Sequence, residues 1–130
     1  MNHLHHIALG ARDVDAVAAF YREVFDLEEL DRHLDDGGHL RSIWLDLSGC
    51  ILMVEKTRKV RPAVEGVGAG PFLLALSIEP DERVAMEERL EARGASIESR
   101  TEFTSYARDP EGNRVAVSHY PLAWERGVDS

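Results

Sequence analysis

The segment His6-Ile7-Ala8-Leu9 returns sixty-seven residues later as Leu73-Leu74-Ala75-Leu76, and each copy runs into a helix pattern. In the first copy Ile7 and Leu9 alternate with smaller or polar neighbours, the period of a strand with one buried face. Asp13 then stands where an N-cap is wanted, and Val17, Phe20, Tyr21 and Val24 come at helical i, i+3, i+4, i+7 spacing. In the second copy the helix is predicted over Pro80 to Arg93 and begins one residue sooner. Met86 and Leu90 take the places of Phe20 and Val24, and Gly94 falls at the C-cap.

The two copies also agree beyond their helices. After the first helix, strands are predicted at Glu28 to Leu34, Leu40 to Leu47 and Cys50 to Glu55, with turns at Asp35 to Gly38 and at Ser48-Gly49. After the second they are predicted at Ser96 to Arg100, Thr104 to Arg108 and Arg114 to Tyr120, the last two joined by Asp109-Pro110-Glu111-Gly112-Asn113. Both halves therefore read βαβββ. The fold class is α+β in a single domain, with module one at about 3–55, a connector at 56–71, module two at about 72–120 and a tail at 121–130. Each sheet covers one face with its helix, so the opposite faces are expected to line a shared concave cleft.

Composition narrows the partners. Asp and Glu outnumber Lys and Arg by 24 to 15, giving a net charge of −9, which disfavours nucleic acid and anionic membranes. Lys56, Arg58, Lys59 and Arg61 form the one basic concentration; they read as a solvated connector that could also steer an anionic ligand. No apolar run has the length of a membrane span, and no basic-then-apolar leader opens the chain, so a cytoplasmic protein is expected. The single cysteine, Cys50, reads as a structural thiol. Gly66, Gly68 and Gly70 do not open a helix after a strand, which excludes a dinucleotide fingerprint, and no nucleophile stands beside a base.

The paired βαβββ units, the opening His-Ile-Ala-Leu strand before Asp13-Val14-Asp15 and Phe20-Tyr21, and the Asp109-to-Arg114 turn together resemble the vicinal oxygen chelate superfamily. That superfamily includes glyoxalase I, methylmalonyl-CoA epimerase, fosfomycin-resistance enzymes, extradiol dioxygenases and bleomycin-resistance proteins. The resemblance covers roughly residues 4 to 120 and implies a glyoxalase/bleomycin-resistance-like fold. Members that use a metal hold a divalent ion on the first and fourth strands of each half. Those positions fall here on His6, Leu52, Leu73 and Ala116, of which His6 alone can bind a metal.

No metal is therefore favoured as cofactor; a divalent ion, if present, would involve His6 and Glu55 in a register shifted along the fourth strand. His6 is the candidate catalytic residue, as hydrogen-bond donor or general base. Strand parity places Trp44, Leu73, Ala75, Ala116, Ser118 and Tyr120 in the cleft, and Leu52, Val54 and Tyr106 are expected to join them. His3 and His5 are expected on the side of the strand opposite His6, His119 on the helix side, and His33 and His39 at the surface.

The leading expectation is a degenerate-site protein binding a small apolar or aromatic molecule. The alternatives are a divalent-metal-dependent lyase, isomerase or dioxygenase, and a ligand-free dimerisation module. Whether the chain is an enzyme stays open at this point. Expected partners are a small-molecule ligand and a second copy in a homodimer, with no nucleic acid and no membrane.

Overall fold

The computed structural model describes residues 3–59 and 73–121. The connector from residue 60 onward and the tail beyond residue 121, with Leu122 and Trp124, lie outside the described residues. Two compact units emerge, Met1–Gly68 together with Asp109–Asn113, and Ala69–Arg108 together with Arg114–Ser130.

In the first unit the chain runs β1 (His6–Ala11), α1 (Val14–Phe25), β2 (Glu29–Leu34), β3 (Leu40–Leu47) and β4 (Cys50–Lys56). The sheet order is β1-β4-β3-β2, with β1 parallel to β4 and the remaining pairs antiparallel. The Asp13 side chain accepts from Ala16 N at 3.0 Å and starts α1, and Asp26 at φ 58° ends it in the left-handed region. Between them the predicted stripe is the core: Val17, Phe20, Tyr21 and Val24 are each no more than 1% exposed. They pack with Ile43, Leu45, Leu52 and Val54, all fully buried. The β3–β4 turn has positive φ at both Ser48 and Gly49, the handedness that suits a two-residue hairpin.

The second unit repeats the plan with β5 (Leu73–Ser77), α2 (Arg83–Ala92), β6 (Ser99–Arg100), β7 (Thr104–Arg108) and β8 (Arg114–Ser118), in the order β5-β8-β7-β6. Three boundaries differ from the sequence pattern. Pro80–Glu82 forms a 3-10 turn ahead of α2, since Pro80 suits the opening of a helix but supplies no amide for its ladder. β6 shortens to two residues, and β8 stops at Ser118, where the Ser118 carbonyl accepts from Ile78 N and the chain leaves the ladder. Gly94 at φ 82° closes α2, with Ala95 N bonded back to Leu90 O and Gly94 N to Glu91 O. Polar groups tie this helix to its sheet: Arg83 Nε donates to Ser105 Oγ, and Ser105 Oγ donates to Glu87 Oε2 at 2.5 Å.

The turn between β7 and β8 belongs to the first unit. Asp109, 4% exposed, accepts from the Glu111 and Asn113 amides, from Asn113 Nδ2 and, at 2.9 Å, from the hydroxyl of Tyr21 on α1. Glu111 receives both the amide and Nε of Arg12. Burial, then the charge and hydrogen bond of Asp109, push the Tyr21 hydroxyl well above its ordinary pKa.

Candidate functional site

Cross-strand partners share a face of a sheet, so the ladders sort every candidate. In the first unit His6, Ala8 and Gly10 pair with Ile51, Met53 and Glu55, and Trp44 pairs with Met53, all on the face turned away from α1. Trp44 lies there as its parity requires. Leu52 and Val54 do not. They pair with Ile7 and Leu9 on one side and with Leu45 and Ile43 on the other, in the fully buried layer under α1. The expected second ligand position on Leu52 is corrected accordingly: the residue across from His6 is Ile51.

Glu55 shares the face of His6 but pairs with Gly10, four residues along β1. At about 3.3 Å per residue that is roughly 13 Å, too far for both side chains to hold one ion. Instead His6 meets His5. The strand begins only at His6, so its alternation does not extend to His5, and the two exposed rings touch edge-on with Nδ1 atoms 2.9 Å apart. The expectation that His5 lies opposite His6 is thus corrected. Among the described residues no three His, Cys, Asp or Glu side chains converge as a metal cluster.

In the second unit Leu73, Ala75 and Ser77 pair with Arg114, Ala116 and Ser118, and Tyr106 pairs with Ala116. These share one face, while Leu74, Leu76, Val115 and Val117 occupy the other with Ser105, whose hydroxyl bonds the α2 side chains. Ser118 Oγ is engaged by Thr104 Oγ1 at 2.8 Å, and the Arg114 guanidinium lies 5.3 Å from the Tyr106 ring centre. Tyr120 departs from expectation: it comes after the end of β8, is 60% exposed and packs edge-on against Phe103. It belongs to neither sheet face. His119, also beyond the strand, rests against the same Phe103 ring.

A cavity of about 610 Å³ opens elsewhere in the first unit, lined by Arg12, Asp13, Val14, Asp15, Asp35, His39, Leu40, Lys56 and Arg58. It lies at the far end of β1 from His6 and takes in part of the basic concentration. Its charges are largely internal. Asp13 caps α1, Asp15 faces Arg32 at 3.6 Å, Arg12 pairs with Glu111, and Lys56 Nζ donates to the Arg12 carbonyl. The Asp35 carboxylate, receiving the His39 and Gly37 amides, sits below the usual carboxylate range.

Sequence reasoning missed Ser42 and underrated His33. Ser42 is 1% exposed in the middle of β3, paired with His33 on one side and Glu55 on the other, two residues before Trp44 on the same face. The His33 ring packs 4.6 Å from the Trp44 indole. The signal was present as a small polar residue at the parity of Trp44 in a strand of otherwise clear alternation.

This pair of βαβββ units, with parallel outer pairing in each sheet, defines a glyoxalase-like α+β fold. The chain belongs to the glyoxalase/bleomycin resistance protein/dioxygenase superfamily, whose family model matches residues 3–117. A solved variant of the fosfomycin resistance protein FosX from Listeria monocytogenes, complexed with Mn(II) and 1S,2S-dihydroxypropylphosphonic acid, is similar at TM-score 0.80. It shares 18% identity over 97% of this chain and 98% of that one. FosX from Mesorhizobium loti gives 0.76 at 15% identity over 98% of each chain. Lactoylglutathione lyase from Agrobacterium tumefaciens gives 0.65 at 24% identity over 92% of this chain and 94% of that one. Among curated proteins compared by sequence, none matches. No helix among the described residues is long and apolar enough to cross a membrane.

Proposed function

We propose that this chain is a binding member of its superfamily with a degenerate metal site, taking a small apolar or aromatic molecule on the sheet faces turned away from the helices. The observation that carries the reading is the row of residues at the superfamily's ligand positions. His6 faces Ile51 across β1 and β4, and in the second unit the corresponding positions are Leu73 and Ala116. A divalent ion asks for three or four nitrogen, oxygen or sulfur donors, and this set offers a single imidazole, so the residues present do not fit one. Trp44 and Met53 on the same face supply an aromatic and a soft apolar surface for a ligand. Leu73, Ala75, Tyr106 and Ala116 supply a second such surface, with Ser118 at its margin.

The remainder of the reading is a cytoplasmic protein, in keeping with the lone Cys50, that pairs with a second copy of itself. His6 serves as a hydrogen-bonding group toward the ligand, its ring steadied by His5.

Metal analysis of protein purified without added ions or chelator tests the proposal. Sub-stoichiometric metal, unchanged by soaking in Mn(II) or Zn(II), is the expected result. A stoichiometric ion that disappears in His6→Ala would overturn it in favour of the metal-dependent lyase, isomerase or dioxygenase reading.

A further inference from the structure

The cavity beside the start of α1 has a chemistry of its own. At about 610 Å³ it is the size of a small-molecule site, and apart from Val14 and Leu40 its lining is charged or polar. It shares no residue with the sheet faces proposed above to hold an apolar ligand.

Two of its cations stand without a counter-charge. Lys56 Nζ donates to the Arg12 carbonyl, and neither Lys56 nor Arg58, both exposed, has a carboxylate at ion-pair distance among the described residues. In a chain of net charge −9 this is not for want of acids, since three aspartates line the same cavity. Each is engaged elsewhere. Asp13 Oδ1 accepts from the Ala16 amide, Asp15 Oδ1 stands 3.6 Å from Arg32, and Asp35 Oδ1 accepts from the Gly37 and His39 amides. Arg12, the third cation, is matched by Glu111. What stays open is the pair Lys56 and Arg58, together with the Oδ2 oxygens of Asp13 and Asp35, which accept from no donor among the described residues.

From this we infer that the cavity takes a polyhydroxylated phosphate monoester, a sugar phosphate in chemical class, with its phosphate at Lys56 and Arg58 and its hydroxyls donating to Asp13 and Asp35. Two cations close together in the chain call for an anion with several oxygens. A phosphate monoester brings about −1.5 to −2 charges and three terminal oxygens, which suit a guanidinium fork. The aspartates repel a bare anion and accept only from donors, so they favour a phosphate whose remainder carries hydroxyls. The sparse apolar lining gives nothing to a flat apolar molecule, which sets this site apart from the sheet faces.

The test compares glucose 6-phosphate, glucose and inorganic phosphate by isothermal titration calorimetry and by ¹H–¹⁵N titration of the full chain. Glucose 6-phosphate is expected to bind at one molecule per chain, at least about tenfold more tightly than either of its parts, and to shift the Val14, Leu40 and Arg58 amides. Arg58 makes no hydrogen bond that the fold needs, so Arg58→Gln is expected to keep the spectrum of the folded chain and to weaken glucose 6-phosphate about tenfold. Asp35→Asn keeps Oδ1 for the turn amides and replaces the open acceptor by a donor, so it should narrow the preference for glucose 6-phosphate over inorganic phosphate. No binding of glucose 6-phosphate at millimolar concentration, binding no tighter than inorganic phosphate, or binding unchanged in Arg58→Gln would each overturn the inference. The apolar-ligand function proposed above stands or falls separately.

Discussion

Replacing Tyr21 by Phe isolates one hydrogen bond that joins positions far apart in the chain. The hydroxyl donates to Asp109 Oδ2 at 2.9 Å, with Tyr21 fully buried and Asp109 4% exposed. A bond to a carboxylate in such a setting contributes about 1.5–3 kcal/mol. The lower part of that range applies here, because Asn113 Nδ2 still reaches Oδ2 in the variant and the carboxylate is not abandoned. With about 2.1 cal/mol/K of unfolding entropy per residue, the 130 residues give roughly 0.27 kcal/mol/K, so a loss of ~2 kcal/mol lowers Tm by about 7 °C. The variant has a second signature. Because the Tyr21 hydroxyl is held above its ordinary pKa in the fold, the unfolded chain releases that proton first, at about pH 10. The wild type therefore keeps this contribution in full below pH 10 and loses it above, at up to about 1.4 kcal/mol per pH unit, whereas Tyr21→Phe has none to lose. Thermal unfolding at pH 7 reads the first effect, and urea unfolding between pH 7 and 11 reads the second. A Tm within 1 °C of wild type, or an alkaline decline as steep in the variant, would refute the reasoning.

Asp13→Ala removes the N-cap of α1 and should cost ~1 kcal/mol, or about 4 °C in Tm, measured by far-ultraviolet circular dichroism. Glu87 is held below its ordinary pKa by the Arg100 hydrogen bond foremost, against its burial, with help from Ser105 and the charges of Arg100 and Arg83. Its contribution is present above the unfolded carboxylate value of about 4.3 and fades as pH falls through the lower folded value. Glu87→Gln is thus expected to be less stable than wild type at pH 7 and to lose less on acidification, a convergence that denaturant curves at pH 3 and pH 7 would reveal.

The architecture was legible wherever period and turn chemistry agreed. Ile7 and Leu9, Ile43 and Leu45, Val115 and Val117 each flank smaller or outward residues, and their faces came out as the alternation dictates. β4 failed for a physical reason: Ile51, Leu52, Met53 and Val54 are all apolar, so the strand has no period of its own, and only its pairing with β1 shows that Leu52 and Val54 face α1. His5 and Tyr120 failed for another, since parity carries no meaning one residue before a strand begins or two after it ends. The Asp109–Tyr21 bond was illegible altogether: Asp-Pro-Glu-Gly-Asn reads as a turn, and nothing local says that its first carboxylate is addressed to a helix 88 residues earlier.

That address has a consequence for how the molecule comes into being. The first unit is nearly complete in its own stretch of chain, yet its helix hydroxyl and its Arg12 await Asp109 and Glu111, separated from them by 88 and 99 residues. During synthesis, α1 and its sheet emerge long before the turn that finishes them. The first repeat made alone would carry a buried phenol and a half-exposed guanidinium with their partners missing, so the two repeats are not interchangeable parts.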